Sequence, residues 1–175
     1  MKNNGILFFL LLVLLISCQG PGQKASLQVL NDSIVTLEKE IFDPTNEKLD
    51  KIKAVELISL YVKAAHEDPD SENAPEYLFK AADISINVQS AIKTISIYDE
   101  ILDQYPDYKK VPTIMFLKAF VYDDQLHDYV NAEKNYKLFL EKYPDSEFAD
   151  DAEISLKNLG KTPEELIEEF QKNNP

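Results

Sequence analysis

The chain has 175 residues, 45% hydrophobic and 28% charged, which is the composition of a folded domain of ordinary size. Its formal net charge is −13 and all 18 basic residues are lysine, so its surface repels nucleic acid and lacks arginine for bidentate phosphate binding. The single cysteine excludes a disulfide within the chain. We therefore expect no nucleic-acid partner and a fold held by packing alone.

An apolar segment stands near the start of the chain. Residues 6–16 form an uninterrupted apolar run that follows Lys2. The run has the roughly 7–15 residues of a secretory signal core and falls short of the roughly 20 residues that a membrane-spanning helix needs. This pattern predicts a signal peptide over residues 1–17.

The run ends in Leu15-Ile16-Ser17-Cys18, which resembles the lipobox of bacterial lipoproteins. The resemblance implies cleavage before Cys18, acylation of its sulfur with chains such as palmitate, and stable anchoring in a membrane of the cell envelope. Gln19 is not the aspartate that retains enterobacterial lipoproteins in the inner membrane, so the resemblance favours the outer membrane, facing the periplasm. The alternative is an ordinary signal peptide that happens to contain a cysteine.

Glycine is confined to the two ends of the chain. Residues 18–24 combine glycine, proline and glutamine, which predicts a short tether, and residues 23–159 contain no glycine. Phosphate-binding loops, dinucleotide fingerprints and nucleophile elbows all need glycine. His66 and His127 have no metal-ligand spacing, and no serine has a histidine and an acid placed recognisably around it. We therefore predict no catalytic, cofactor-binding or metal site.

Residues 25–66 predict a pair of helices, at 25–42 and 45–66, with Pro44 between them. Five apolar residues of the first helix follow the spacing of a coiled-coil seam: Leu27, Leu30, Ile34, Leu37 and Ile41. Two interpretations stay open. The helix pairs with its neighbour as a degenerate first repeat, or it forms a short coiled coil through which the chain homo-oligomerises. About two heptads are fewer than the three to four that a coiled coil normally shows, which favours the first interpretation.

A motif centred on proline recurs in residues 67–175. Pro69, Pro106 and Pro144 are 37 and 38 residues apart, and Tyr98 and Tyr136 each precede their proline by eight residues. A period of this size is typical of a solenoid of helix pairs. We predict an all-α fold, a short solenoid of about eight antiparallel helices. The remaining helices are predicted at 73–86, 88–105, 111–125, 128–143, 146–158 and 163–172.

The helix ends carry recognisable caps. Ser71 and Ser146 are expected N-caps, and Thr162, Pro163 and Glu165 form a capping box with proline at the first helical position. We expect the final helix to cap the solenoid. Its apolar residues should face inward: Leu166, Ile167 and Phe170.

One stretch, 128–152, resembles a tetratricopeptide repeat. The matching residues are Asp128-Tyr129-Val130-Asn131-Ala132, Tyr136, Phe139-Leu140, Tyr143-Pro144-Asp145-Ser146, Ala149 and Ala152. More narrowly, they resemble the Tyr-Pro-Asp-Ser subtype of envelope proteins associated with the Tol-Pal system and with the outer-membrane β-barrel assembly machinery. The resemblance covers 69–160, and it departs from the repeat pattern at Thr94, where alanine is usual, and in the absence of tryptophan.

The resemblance implies a membrane-anchored scaffold that binds other envelope proteins, in outer-membrane assembly or Tol-Pal-type maintenance. The alternative is a lipoprotein that binds a small ligand, a glycan or a peptide, because some glycan-capturing outer-membrane lipoproteins also build on these repeats. An enzyme is not implied by either interpretation.

The predicted helix at 111–125 is apolar around its whole circumference, which is more than one core-facing stripe requires. In a stack of helix pairs the first helix of each pair lines a concave groove. If Ala119 holds the close-packing position, Phe116 and Phe120 point into that groove near Leu78. Either a partner segment fills this slot, or the helix at 25–42 or the C-terminal cap fills it within the chain.

Overall fold

The computed structural model describes residues 21–88 and 90–173, and all regular secondary structure in these residues is helical. The helices are α1 (Pro21–Ile41), α2 (Lys51–Glu67), α3 (Ala74–Asn87), α4 (Ala91–Gln104), α5 (Val111–Phe120), α6 (Tyr129–Lys142), α7 (Ala149–Asn158) and α8 (Pro163–Asn173). The α5 helix continues into a π-helical turn at Val121–Gln125. The predicted all-α class is confirmed. The predicted signal peptide and Cys18 lie outside the described residues.

Helices that are adjacent in the chain are adjacent in space, from α1 against α2 through to α6 against α7. Contacts between consecutive helices are the pattern that stacked helix pairs produce. Among the described helices, none combines the length and the apolar character needed to cross a bilayer.

The three proline turns share one backbone geometry. The residue before each proline ends a helix with φ −142° and ψ 69° at Asp68, φ −129° and ψ 57° at Tyr105, and φ −136° and ψ 57° at Tyr143. The amide of the second residue after each proline donates to the carbonyl of that helix-ending residue, over 3.0 or 3.1 Å. The repeat found in the sequence is therefore also a repeat of local structure.

A buried tyrosine stands at the same position of each repeat. Tyr98 and Tyr136 are fully buried, and Tyr61, which also precedes its proline by eight residues, is 1% exposed. The spacing between Tyr61 and Pro69 is a sequence signal for this residue that the repeats from Pro69 onward do not include. The repeat pattern therefore extends upstream into α2.

Glu38 of α1 joins the first three helices. It accepts hydrogen bonds from the hydroxyl of Tyr61 on α2 and, over 3.0 Å, from the ammonium of Lys80 on α3. Partial burial by itself would raise the pKa of Glu38, but these two donors outweigh it and hold the pKa below its usual value.

The predicted coiled-coil seam of α1 is buried inside the chain. The first core cluster is built by α1 to α4, together with one residue of α5 and one of its π-helical turn. Four of the five seam residues lie in this cluster: Leu30, Ile34, Leu37 and Ile41. The structure thus supports pairing of α1 with α2. A coiled coil through the same residues would first have to expose them.

Two predicted boundaries at the N-terminal pair are wrong. The α1 helix begins at Pro21, which suits a first helical position, so part of the predicted tether over 18–24 is helical. The α2 helix begins at Lys51 rather than at 45. The chain turns after α1, because the Asp43 carboxylate accepts a hydrogen bond from the amide of Thr45 and the side chain of Asn46 caps the end of α1. The N-cap of α2 is therefore Asp50.

The α5 segment is apolar around its whole circumference because it contributes residues to two cores. Ile114 and Val121 lie in the first core cluster, whereas Val111, Met115 and Ala119 lie in a second cluster. The second cluster is completed by residues of α6 and α7: Ala132, Tyr136, Phe139 and Ala152. A helix that packs against a core on two sides carries apolar residues on both of those sides.

A glycine turn separates α7 from α8. The amide of Lys161 donates to the carbonyl of Asn158 over 3.0 Å, with Leu159 at φ −53°, ψ 122° and Gly160 at φ 74°, which is a type II turn. A Cβ at Gly160 would lie 3.4 Å from the ring of Tyr129. The turn therefore requires glycine at this position.

We expect Gly160→Ala to lower the free energy of unfolding by about 1–2 kcal/mol, because a positive φ is unfavourable for alanine and its Cβ would crowd the ring of Tyr129. Chemical denaturation of the two purified proteins measures it. Lys157→Ala, on the exposed side of α7, is the control and should leave stability within about 0.5 kcal/mol. A Gly160→Ala protein as stable as the parent would show that residue 160 does not have a positive φ in this turn.

The final helix does not have the predicted orientation. The predicted capping box is present. The Glu165 carboxylate accepts a hydrogen bond of 2.8 Å from the amide of Thr162, and the amide of Glu165 donates a hydrogen bond to the Thr162 hydroxyl. Leu166 is half-buried, but Ile167 and Phe170 are exposed, so the expectation that they face inward is wrong. Burial in a helical stripe depends on a neighbouring helix, and no other helix packs extensively against α8.

Candidate binding cleft

The structure does not bring the predicted slot residues to one surface. Leu78 is fully buried in the first core cluster and offers no area to a partner. Phe116 is half-buried against the second cluster, and Phe120 is 37% exposed at the end of α5. Only Phe120 has an appreciable accessible surface.

Phe116 is covered by aromatic neighbours within the chain. Its ring stacks on Phe148 at a centroid distance of 4.9 Å and lies 5.8 Å from Phe139 and 6.0 Å from Tyr136. Neither α1 nor α8 supplies these contacts. The rings that contact Phe116 belong to α6 and to the turn before α7, so the expectation that α1 or α8 covers it is wrong, whereas a partner at this slot stays a prediction.

These surroundings separate the two phenylalanines experimentally. Phe116→Ala removes a ring packed against three others and should lower the free energy of unfolding by about 2–4 kcal/mol. Phe120→Ala, on the same helix and more exposed, should cost about 1 kcal/mol or less. Urea denaturation measures both. Equal losses would mean that Phe120 is also a core residue.

An open cleft of about 970 Å³ lies on another side of α5, between α4 and α6. Its apolar lining comes from three helices and the turn after α4, with Val111 and Met115 nearly buried at its base and Leu138 37% exposed on α6. None of the three predicted slot residues lines it. The second helices of the pairs, α4 and α6, form its sides, whereas the sequence argument had placed the groove on the first helices.

The sides of the cleft carry opposite charges. Asp99, Glu100 and Asp103 stand on α4, and Lys118 and Lys142 stand on α5 and α6. Lys118 and Asp99 pair across the α4–α5 boundary at 2.5 Å. The cleft is therefore apolar at its base, acidic along one side and basic along the other.

His66 joins the end of α2 to this surface. Its Nε2 lies 2.6 Å from Oε1 of Glu100, and it also lines a neighbouring depression of about 360 Å³ beside Lys63 and Lys93. The second depression extends the surface along the second helices of successive pairs. His66 thus has a local partner, and the described residues hold no group of three or more histidine, cysteine, aspartate or glutamate side chains arranged for a metal ion.

Leu138 lines the cleft and is not among the site residues predicted from the sequence. It lies off the buried stripe of α6, at the position that Glu100 occupies in the preceding repeat. An apolar residue where a sister repeat has a carboxylate is a signal that a comparison within the chain can detect.

The end of α5 holds a second unusual backbone feature. After the π-helical turn, His127 adopts φ 50°, and the amide of Asp128 donates to the carbonyl of Tyr122 over 2.8 Å. This is the geometry of a helix end that usually takes glycine. Partial burial, and then the neighbouring Asp124, raise the pKa of Asp123 in this turn. The turn leads directly into α6, whose residues form one side of the cleft.

Comparison with models of protein families, with curated proteins and with solved structures returns no match.

Proposed function

We propose that the protein is a membrane-anchored scaffold of the bacterial cell envelope that binds other proteins, in outer-membrane assembly or Tol-Pal-type maintenance. The proposed location is the outer membrane, facing the periplasm, with anchoring through acylated Cys18. Support for the location comes from the lipobox-like residues 15–18 and the apolar run before them. Support for the binding role comes from the repeated helix pairs and the cleft.

The cleft carries the proposal. An apolar base lined by Val111, Met115 and Leu138, with carboxylates on one side and lysines on the other, suits a peptide segment that has an apolar face and charged edges. Such a segment would displace water from the base and pair with both sides. Specificity would then come from the order of charges along the partner.

The test compares two substitutions on the same helix, Leu138→Asp inside the cleft and Val130→Asp outside it. Val130 is 79% exposed and does not line the cleft, so it is a matched control. We expect the yield of partner proteins crosslinked in intact envelopes to fall at least about tenfold for Leu138→Asp and to stay unchanged for Val130→Asp. Unchanged partners in a folded Leu138→Asp protein would eliminate the cleft as the binding site.

A small-ligand binder is the second candidate, favoured by one observation. The volume of about 970 Å³ lies near the upper end of the size range of small-molecule sites, roughly 300–1,000 Å³. Thermal shifts across a panel of glycans and short peptides distinguish the two roles. A clear shift with a glycan, abolished by Leu138→Asp and without any protein partner, would establish the second candidate and contradict the first.

A further inference from the structure

A pocket of about 390 Å³ lies between the first two proline turns, the one at Pro69 and the one at Pro106. Two tyrosines of the second turn, Tyr105 and Tyr108, line it together with both prolines. The other described residues that line it are polar or acidic apart from Pro75, and none of them is basic. The pocket therefore combines tyrosine and proline rings with negative charge.

Hydrogen bonds across the repeat boundary hold the two tyrosine rings in place. The hydroxyl of Tyr105 donates to the carbonyl of Pro69 over 3.0 Å. The hydroxyl of Tyr108 donates to the carboxylate of Glu76 on α3 over 2.6 Å. Glu76 also pairs with Lys110 at 2.9 Å, so this carboxylate and this ammonium are both engaged. Because the rings are positioned before any ligand arrives, little side-chain entropy is lost when one binds.

Three exposed carboxylates line the pocket, those of Asp70 and Glu72 on the first turn and of Asp107 on the second. None of them forms an ion pair with another described residue. The pKa of Tyr105 is raised, first by burial and then by the negative charges of Glu100 and Asp70, as expected beside uncompensated carboxylates. A cation in the pocket would be attracted by carboxylates that are not already paired.

The size of the pocket restricts the conformation of a bound segment. Its volume is that of a cube roughly 7 Å across, whereas an α-helix with its side chains is roughly 10–12 Å wide. Addition of a strand to a sheet edge is not available either, because the described residues form no strand. The polyproline II conformation remains, since it needs no backbone partner and docks on surfaces lined by aromatic rings.

We propose that this pocket binds a proline-rich segment of another protein, in the polyproline II conformation, that carries lysine or arginine next to its prolines. The prolines pack against Tyr105 and Tyr108, and the cation lies beside the three carboxylates. The exposed side-chain amide of Gln104 can donate to a carbonyl of the segment. Gln104 and Pro106 also line the cleft between α4 and α6, but the pocket can be filled alone, so this inference does not depend on the function proposed for the cleft.

The first test measures the fluorescence anisotropy of labelled peptides with the purified full-length chain. The probe repeats Lys-Pro-Pro, and its control repeats Lys-Gly-Ser with the same number of lysines. We expect the probe to bind at least about tenfold more tightly, because its conformation is already that of the bound state. Equal affinities would show that charge alone attracts the peptides, and no binding of the probe would equally overturn the proposal.

The second test compares the same substitution in two repeats, Asp107→Lys in the pocket and Asp145→Lys outside it. Both aspartates are exposed and directly follow the proline of their turn, so the two variants change the net charge equally. We expect Asp107→Lys to weaken binding of the Lys-Pro-Pro probe at least about tenfold, and Asp145→Lys to leave it within about twofold. Equal losses would show that the probe responds to the overall charge of the chain, which would contradict a site between the turns.

Two further variants keep the test decisive. Asp70→Lys, on the other turn, should weaken the probe as Asp107→Lys does, so the result does not depend on one substitution; full binding by a folded Asp70→Lys protein would exclude a site that spans both turns. Leu138→Asp, in the cleft, should leave probe binding within about twofold. A tenfold loss with Leu138→Asp would place the peptide in the cleft and overturn the pocket as its site.

Discussion

Replacing Cys18 by alanine is expected to abolish acylation of the chain completely, because no other residue carries a thiol that can form the lipid thioether. Cleavage of the signal peptide should fail as well, since the lipobox resemblance places lipid attachment before the cut. Metabolic labelling with a clickable fatty acid and the intact mass of the purified protein measure both effects. The expected result is an unlabelled, unprocessed chain.

Ser17→Ala is the control for this substitution. It changes the residue beside Cys18 but keeps a small side chain there, so labelling and processing should remain normal. Normal membrane retention and processing of the Cys18→Ala chain would refute lipid anchoring. The apolar run would then be an ordinary signal peptide, and the envelope location would rest on that run alone.

Replacing Phe139 by alanine is expected to cost about 3–5 kcal/mol of the free energy of unfolding. Phe139 is fully buried at the centre of the second core cluster, with the rings of Phe116 and Tyr143 at 5.8 and 6.2 Å. The cavity left behind would adjoin these rings. Because the rings belong to rigid helices or their ends, little of the lost contact can be recovered by collapse.

Hydrogen exchange gives this prediction spatial detail. The loss of protection should concentrate in α5 to α7, because contacts run mainly between neighbouring helices and α2 and α3 belong to the other core. Leu138→Ala changes the adjacent, partly exposed residue and should cost about 1 kcal/mol or less. An equal loss of protection in α2 would show that the two cores unfold as one.

The sequence was a sufficient guide where the fold depends on local pattern. The tyrosines eight residues before Pro106 and Pro144 and the apolar residues around them predicted α4 and α6, which end one residue before Tyr105 and Tyr143. Proline at the first helical positions and the capping box located the start of α8. Each of these signals acts over a few residues.

Contacts between distant segments could not be predicted in this way. The cover over Phe116 comes from Phe148, which lies in the turn before α7 and is no part of a helical stripe. The stripe of α8 looked like a cap because its spacing is correct, but spacing alone does not specify which surface meets Ile167. The cleft arises where α4, α5 and α6 meet, and it was not predicted, although Leu138, which stands where the preceding repeat has Glu100, is a sequence signal for it.

The neighbour-to-neighbour contacts of the helices also determine how the chain would bear a load. If Cys18 is held by a membrane and a partner is bound in the cleft, a pull between them passes through the interfaces between consecutive helices, one after another in series. Interfaces in series each carry the full force, so mechanical strength is set by the weakest interface and not by the sum. Yielding at the weakest interface would lengthen the tethered molecule in a step, while the stronger interfaces stay intact.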